Sequence, residues 1–500
     1  MVSAAILIAA AGPILSAIFT NKIKARLKAS NIHFGSLNIN LYTRSITLRD
    51  VDWSENSRTA RVKSVYAGGI GILPYFRNKQ ISVRKLYFEG GTISIVRDTS
   101  KHIGKPDSIP FSSIDIDRVR FTDMDVAIKN DTVTEYQARV GVVIHYFFIR
   151  DPKEYRDPSA YSFRNIETSV HNLRIHKTGS LYAFTVKDAT FDKELKKLRI
   201  DSLHLEPLLD KNDFAKKVKS QETRTTLVVA RIDATGVNMA VHMADTSIMV
   251  SSVTIDGAYV HAYKNKKYPF TRREKFPLPM ESFQSLHFGI EVDTIKLRNS
   301  TITYEELPTE GFHTAHITFD GVEATMNAVN NREFKNMSGV STLEASASVM
   351  KTGQVKATFK LPLEPKKKYS AEGTISNVPL NELNPLLKDL AFVEISSGRL
   401  NKMDFNFAYD DIGSKGQLRF DYEDLKILGL KKEPARELAA FKTMLINTAV
   451  KNDETLTGDI DVRRNQKKAV FNLWTISIVD GIRTALLPGK KNKSSKKKGK

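Results

Sequence analysis

The chain has 500 residues, 41% of them hydrophobic and 26% charged, so it can bury a large core or several small ones and is not a polytopic membrane protein. Its formal charge is +20; seven of those charges sit in the last thirteen residues, PGKKNKSSKKKGK, and the remaining +13 favours anionic surfaces such as lipid headgroups or nucleic acid, or simply serves solubility. The lack of cysteine excludes disulfides, thiolate catalysis and cysteine-bound zinc, and fits an oxidising compartment.

The N-terminal run VSAAILIAAAGPILSAIFT, Val2 to Thr20, is uncharged and mostly apolar. Nineteen residues at helical rise just span a hydrocarbon core, and Pro13 would kink such a helix without excluding it. No Lys or Arg precedes the run, and the A-x-A-like site at Ala9–Ala11 leaves too short an apolar core before it. An uncleaved anchor is therefore expected, with a cleaved signal or a buried helix as the alternatives. Lys22, Lys24, Arg26 and Lys28 follow at headgroup depth and are candidate contacts to anionic lipid. They point a naive positive-inside reading toward the cytoplasm, but long domains translocate regardless of such charges.

From about residue 30 the chain reads as β. In FGSLNINLYTRSITLRDVDW, Phe34 to Trp53, Leu37, Ile39 and Leu41 alternate with polar residues, then Ile46 and Leu48, then Val51 and Trp53. The parity slips at Arg49–Asp50. A stricter pattern follows, with apolar residues at x, x+2, x+5, x+7, x+12 and x+14. Ile81, Val83, Leu86, Phe88, Ile93 and Ile95 fit it, as do Ile114, Ile116, Val119, Phe121, Val126 and Ile128. So do Ile248, Val250, Val253, Ile255, Val260 and Ala262, and Ile290, Val292, Ile295, Leu297, Ile302 and Tyr304. A shorter version is Leu198, Ile200, Leu203 and Leu205. A step of two keeps one strand face, and a step of three flips it unless the strand bulges. The step of five, across Glu89–Thr92 or Asp256–Tyr259, reads as a turn or a second bulge. Each copy is thus expected to be a two-strand unit with a bend, and such units would curve a sheet. The irregular spacing between copies excludes a strict solenoid.

Polar breaks at Asp151–Asn165, Lys264–Pro279 and Asn330–Met337 suggest regions 30–150, 151–336 and 337–487, after an anchor at 1–29 and before a disordered tail at 488–500. In the last region, Leu343, Ala345, Ala347 and Val349 should pair with Val355, Ala357, Phe359 and Leu361. Met403, Phe405, Phe407 and Tyr409 should pair with Leu418, Phe420 and Tyr422. Helices are expected at Pro379–Leu390, Pro434–Val450 and Trp474–Leu487. The last, with Trp474 at one end and Lys490 and Lys491 beyond the other, reads either as a peripheral membrane contact or as a cap on the sheet.

Chemical motifs are scarce. Gly69–Ile70–Gly71 lacks the third glycine of a dinucleotide fingerprint, and Pro74 follows where a helix should begin. The eleven histidines are scattered; His171 and His176, or His313 and His316, do not form a ligand pattern. Asp410–Asp411 reads as a turn. No cofactor, metal or catalytic group is expected, and the lysine tail lacks the interleaved aromatics of a nucleic-acid binder.

The opening NIHFGSLNINLYTRSITLRDVDW, followed by GILPYFRNKQISVRKLYFEGGTISIVRD, resembles the start of the AsmA-like envelope proteins of Gram-negative bacteria. The stretch AEGTISNVPLNELNPLLKDLAFVEISSGRLNKMDFNFAYDDIGSKGQLRFDYEDLKIL and the later DIDVRRNQKKAVFNLWTISIVDGIRTAL resemble that family's C-terminal region. The resemblance covers the first hundred and last hundred and thirty residues. It implies an inner-membrane anchor, a periplasmic body and an elongated, curved, mainly antiparallel β sheet with an open apolar groove (β-taco-like), related to bridge-like lipid-transfer proteins. It also implies a non-enzymatic role in handling phospholipid for outer-membrane biogenesis or homeostasis, and it carries over no catalytic residues. The residues of the four copies, apart from Ala262 and Tyr304, then become candidate groove lining. The alternative is a structural or assembly factor of the envelope, acting through sheet edges and protein contacts.

Overall fold

The computed structural model describes residues 32–55, 57–71, 77–78, 80–96, 112–130, 133–150, 161–242, 245–271, 274–286, 288–310, 313–331, 339–364, 367–391, 393–429 and 455–486. The expected anchor, Lys22, Lys24, Arg26, Lys28, the expected helix Pro434–Val450, and Lys490 and Lys491 lie outside the described residues. Among the described residues no helix is long and apolar enough to cross a membrane. The protein is mainly β and mostly antiparallel. It forms two compact units, Met1–His204 and Leu205–Lys500, a division that composition did not indicate.

The first unit contains β1 (Ile32–His33), β2 (Ser36–Asn40), β3 (Ser45–Glu55), β4 (Arg58–Gly68), β5 (Gln80–Val96), β6 (Ser113–Asn130), β7 (Val133–Arg150), β8 (Tyr161–Ser162), β9 (Asn165–Ile175) and β10 (Tyr182–Asp192). The division between units falls within β11 (Lys197–Pro207). Its main sheet runs β2–β3–β4–β5–β6–β7–β9–β10, antiparallel except for the parallel pair β5–β6.

The second unit continues with α1 (Lys211–Val218), β12 (Thr223–Thr235), β13 (Asn238–His242), β14 (Asp245–Asn265), α2 (Pro279–Gln284), β15 (Gly289–Leu307) and β16 (Ala315–Asn330). Then come β17 (Val340–Val349), β18 (Gly353–Pro362), β19 (Tyr369–Pro379), a 3-10 turn (Leu380–Leu383) and α3 (Asn384–Ala391). β20 (Val393–Tyr409), β21 (Gly413–Gly429), β22 (Thr455–Arg463) and α4 (Val470–Leu486) complete it. Here β12 and β13 share one edge of β14, β14 pairs in parallel with β15, and antiparallel neighbours follow in chain order to β22. The segment Lys264–Pro279, read as a break, ends β14 and enters the connection to β15.

The four apolar copies are β5, β6, β14 and β15. Each is one continuous strand, not the expected two-strand unit. They pair in twos, in register: Ile81, Val83, Leu86, Phe88, Ile93 and Ile95 lie beside Ile114, Ile116, Val119, Phe121, Val126 and Ile128. Ile248, Val250, Val253, Ile255, Val260 and Ala262 lie beside Ile290, Val292, Ile295, Leu297, Ile302 and Tyr304. The step of five is a bulge in every copy. At x+9 stand Gly90 (φ 60°), Asp123 (φ 51°), Gly257 (φ 65°) and Asn299 (φ 49°), all left-handed. Gly, Asp and Asn are the residues that tolerate this conformation. The extra residue resets parity, so the apolar positions before and after it share a face. Asp50 (φ 51°) does the same in β3, where pairing passes from Arg49–Ser64 to Val51–Val62; this is the slip seen in the opening stretch.

The flanking strands repeat as well. On β4, Ala60, Val62, Val65 and Ala67 face Ile93, Gly91, Phe88 and Leu86. On β12, Leu227, Val229, Ile232 and Ala234 face the equivalent Val260, Ala258, Ile255 and Val253. On β7, Val140, Val142, Ile144 and Phe147 match Val322, Ala324, Met326 and Val329 on β16. Tyr146 (φ 54°) and Ala328 (φ 58°) are left-handed at the same place. Both units are therefore built on one four-strand module, antiparallel–parallel–antiparallel.

The two hairpins expected in the last region form, with Leu343 opposite Phe359, Ala345 opposite Ala357, Met403 opposite Phe420 and Phe405 opposite Leu418, while Val349 and Leu361 face Gly353 and Ser341 and Phe407 and Tyr409 face Gly416 and Ser414. The shared module makes a specific prediction. Gly257→Val should cost about 1–2 kcal/mol in urea unfolding, since a side chain is disfavoured at left-handed φ. Gly257→Asn should cost clearly less, because Asn occupies the equivalent bulge at residue 299.

Candidate functional site

Cross-strand neighbours point to the same side of a sheet, so pairing defines rows. In the second unit one row runs Ala234–Val253–Ile295–Met326–Leu343–Phe359–Ala371–Phe407–Gly416–Ile460, across ten strands from β12 to β22. A parallel row holds Ile232, Ile255, Leu297, Ala324, Ala345, Ala357, Gly373, Phe405, Leu418 and Gly458. In the first unit, Leu37, Leu48, Val65, Phe88, Phe121 and Val142 form one such row, and Val51, Val62, Gly91, Met124, Val140 and Val170 another. Phe88 and Phe121 stack across the parallel seam at 4.5 Å.

The C-terminal end of the second unit's face is covered. Phe407, Tyr409, Leu418, Ile460 and Leu473 are each at most 2% exposed. Helix α4 lies on them. Trp474, a candidate membrane contact, turns inward: its ring stacks on Phe359 at 4.6 Å and meets Tyr409 edge-on at 5.9 Å. The exposed apolar residues of α4 are Phe471 and Val479. The helix sits very close, because Gly458 has no side chain; a Cβ there would fall 1.9 Å from the Gly481 carbonyl oxygen. The hydroxyls of Ser414 and Ser477, both buried, meet at 2.6 Å beneath it. Leu278 and Met280, from the connection between β14 and β15, join the same core.

The candidate lining residues have a different environment. Val83, Ile116, Val119 and Val292 are buried. The other candidates, Ile81, Leu86, Phe88, Ile93, Ile95, Ile114, Phe121, Val126, Ile128, Ile248, Val250, Val253, Ile255, Val260, Ile290, Ile295, Leu297 and Ile302, are half-buried. In the first unit part of this set gathers around Val83, Ile116, Val119 and Met124. In the second unit none of the candidates on β14 and β15 belongs to a buried cluster among the described residues. The structure thus brings the candidates of each unit onto one face. It adds β4, β7, β12 and β16, which the six-position pattern missed although Ala60, Val62, Val65 and Ala67, and Val322, Ala324, Met326 and Val329, show steps of two and three of their own.

Charge gathers where the β14–β15 face ends. Lys264 pairs with Glu306 across the two strands. Glu306 is buried; it accepts a hydrogen bond from the Tyr304 hydroxyl at 2.5 Å, and the Lys266 ammonium lies 2.6 Å away. Burial holds the Lys264 ammonium below the ordinary lysine range; Lys266 and Lys468 push the same way, against Glu306 and Glu222. Burial beside Glu306 pushes the Tyr304 phenol well above its ordinary value. On the opposite face Glu305 binds Lys211 at 2.5 Å and His261 at 2.8 Å. Asp410 caps its turn by accepting from the amides of Ile412 and Gly413, whereas Asp411, also read as a turn former, is the ionic partner of Lys275 and Arg464.

A concavity of about 840 Å³ crosses β15 to β20. Lys296, Arg298 and Lys356 stand there against Glu323, Glu344 and Glu372, so its charge is balanced, and Leu297, Ala324, Ala345, Ala357 and Phe405 of the apolar row also line it. No group of three His, Asp or Glu side chains converges as metal ligands among the described residues.

The covered and half-covered parts of one face should respond differently to truncation. Phe407→Ala should cost about 3–5 kcal/mol, the range for a buried aromatic, while Ile302→Ala should cost less than about 2 kcal/mol. Equilibrium unfolding in guanidinium measures both. Compared with known proteins, the chain matches no family model and no curated protein.

Proposed function

We propose that the protein holds phospholipid acyl chains against its apolar sheet face, as a membrane-anchored, non-enzymatic envelope protein. The carrying observation is the face itself: apolar copies matched in register across two parallel seams, and mostly half-buried rather than sealed in a core. Contiguous apolar surface left partly in water marks an interaction or ligand-binding surface. A side chain that is half-buried keeps part of its apolar area in water, and each CH₂ of an acyl chain buried against it gains about 0.8 kcal/mol.

The finer reading combines that face with the sequence. The bulges at the tenth position bend each strand and would give the face the form of a curved, open groove. The resemblance to AsmA-like proteins and the apolar run Val2–Thr20 support the reading of a chain anchored in the inner membrane, with its body in the periplasm and a role in outer-membrane biogenesis or homeostasis.

Protein extracted in mild detergent should carry phospholipid detectable by mass spectrometry. Ile93→Asp and Ile302→Asp should each lower the retained amount at least twofold while leaving the unfolding midpoint near that of the wild type. A lipid-free wild type that pulls down a defined envelope protein would instead favour the assembly-factor reading.

A further inference from the structure

The apolar face of β14 ends on charge. Val260, Ala262 and Lys264 follow at two-residue steps, with unbroken pairing to Ile302, Tyr304 and Glu306 on β15. Lys264 therefore stands on the same side as the apolar row, one step beyond it. Lys266 lies beside Glu306, and Lys468, exposed in the segment before α4, acts on Lys264 from another part of the chain. Two lysines, Lys264 and Lys266, thus stand beside one carboxylate, Glu306, which Lys266 and Tyr304 already engage, and Lys468 adds its charge to theirs against Glu222.

Such a group is under-neutralised. Its lysines repel one another in a half-buried place, where water screens charge weakly. An anion delivered there would relieve that repulsion and would gain charge-assisted hydrogen bonds. The dimensions suit an amphipathic anion. From Ile248 to Ala262 the strand extends about 46 Å at ~3.3 Å per residue, whereas an acyl chain crossing one leaflet reaches about 15 Å. A chain whose headgroup sits at Lys264 would run past Ala262 and end beside Val260 and Ile302, about 13 Å along the strand at ~3.3 Å per residue.

We infer that Lys264, Lys266 and Lys468 receive the phosphate of an anionic phospholipid whose acyl chains lie along Val260 and Ile302. This rests on the lipid function proposed above. The concavity on β15 to β20 balances three basic side chains with three glutamates and so has no surplus cation for a phosphate; the headgroup site belongs at the end of the β14–β15 face.

The full chain, equilibrated with mixed micelles holding equal amounts of phosphatidylglycerol, phosphatidylcholine and diacylglycerol, is re-isolated and its lipid quantified by mass spectrometry. Wild type should enrich phosphatidylglycerol about tenfold over the other two. Lys264→Gln/Lys468→Gln should bring that ratio near one with total lipid unchanged. Lys468→Gln alone, at an exposed position, should lower it about threefold and serves if the double variant does not fold. An unaltered ratio in a folded variant, or no preference in the wild type, overturns the headgroup site while leaving the apolar face intact as a lipid surface. A wild type that takes up no lipid overturns both. Glycerol phosphate titrated calorimetrically should bind far more weakly than the lipid; equal affinity would mark a free-phosphate site and overturn the assignment.

Discussion

Everything in this fold follows from parallel pairing of strands that bulge at matched places. Two parallel strands align their apolar faces only if every parity reset in one is met by a reset in the other. β5 and β6 meet this condition at Gly90 and Asp123, and β14 and β15 at Gly257 and Asn299. With it met, six apolar positions per strand fall side by side, and the antiparallel neighbours can extend the rows outward. A single unmatched bulge would turn half of each row to the polar side.

The same face is used in two ways within the second unit. Toward β22 it is an ordinary core, with α4 fitted over Gly458 and aromatic rings stacked beneath Trp474. Toward β14 the row continues in the same register with the same kinds of residue, but those residues remain half-buried. Composition does not distinguish the two ends, because Phe407 and Ile302 come from equally plain alternating patterns. What separates them is a covering element distant in sequence.

That is also the measure of what could be read beforehand. The β class, the four copies and the two C-terminal hairpins were legible because a period of two is local and the steps of three and five recur. The pairing of copies with each other was not, since parallel partners are joined by long connections and nothing local names the neighbour. From sequence the step of five is compatible with a turn or a bulge, because Gly90–Gly91 and Gly257–Ala258 carry turn chemistry; in a long strand the same left-handed glycine makes the bulge. Trp474 was ambiguous on an amphipathic helix, where an inward-facing and a membrane-facing tryptophan have the same spacing. The lysine group at the end of β14 was hidden because Lys468 comes from a distant segment and Glu306 looks like any charged strand residue.

The left-handed column at the tenth position also bears on how such a chain can change in length. Adding or removing one residue within β14 would leave β15 out of step and invert the faces beyond the change, so the two strands can vary only together. Connections face no such rule: the copies start 33 residues apart in one unit and 42 in the other, with the spacing inside every strand identical. Divergence in this architecture is therefore channelled into its linkers, and the strands act as a fixed ruler against which any new connection must be measured.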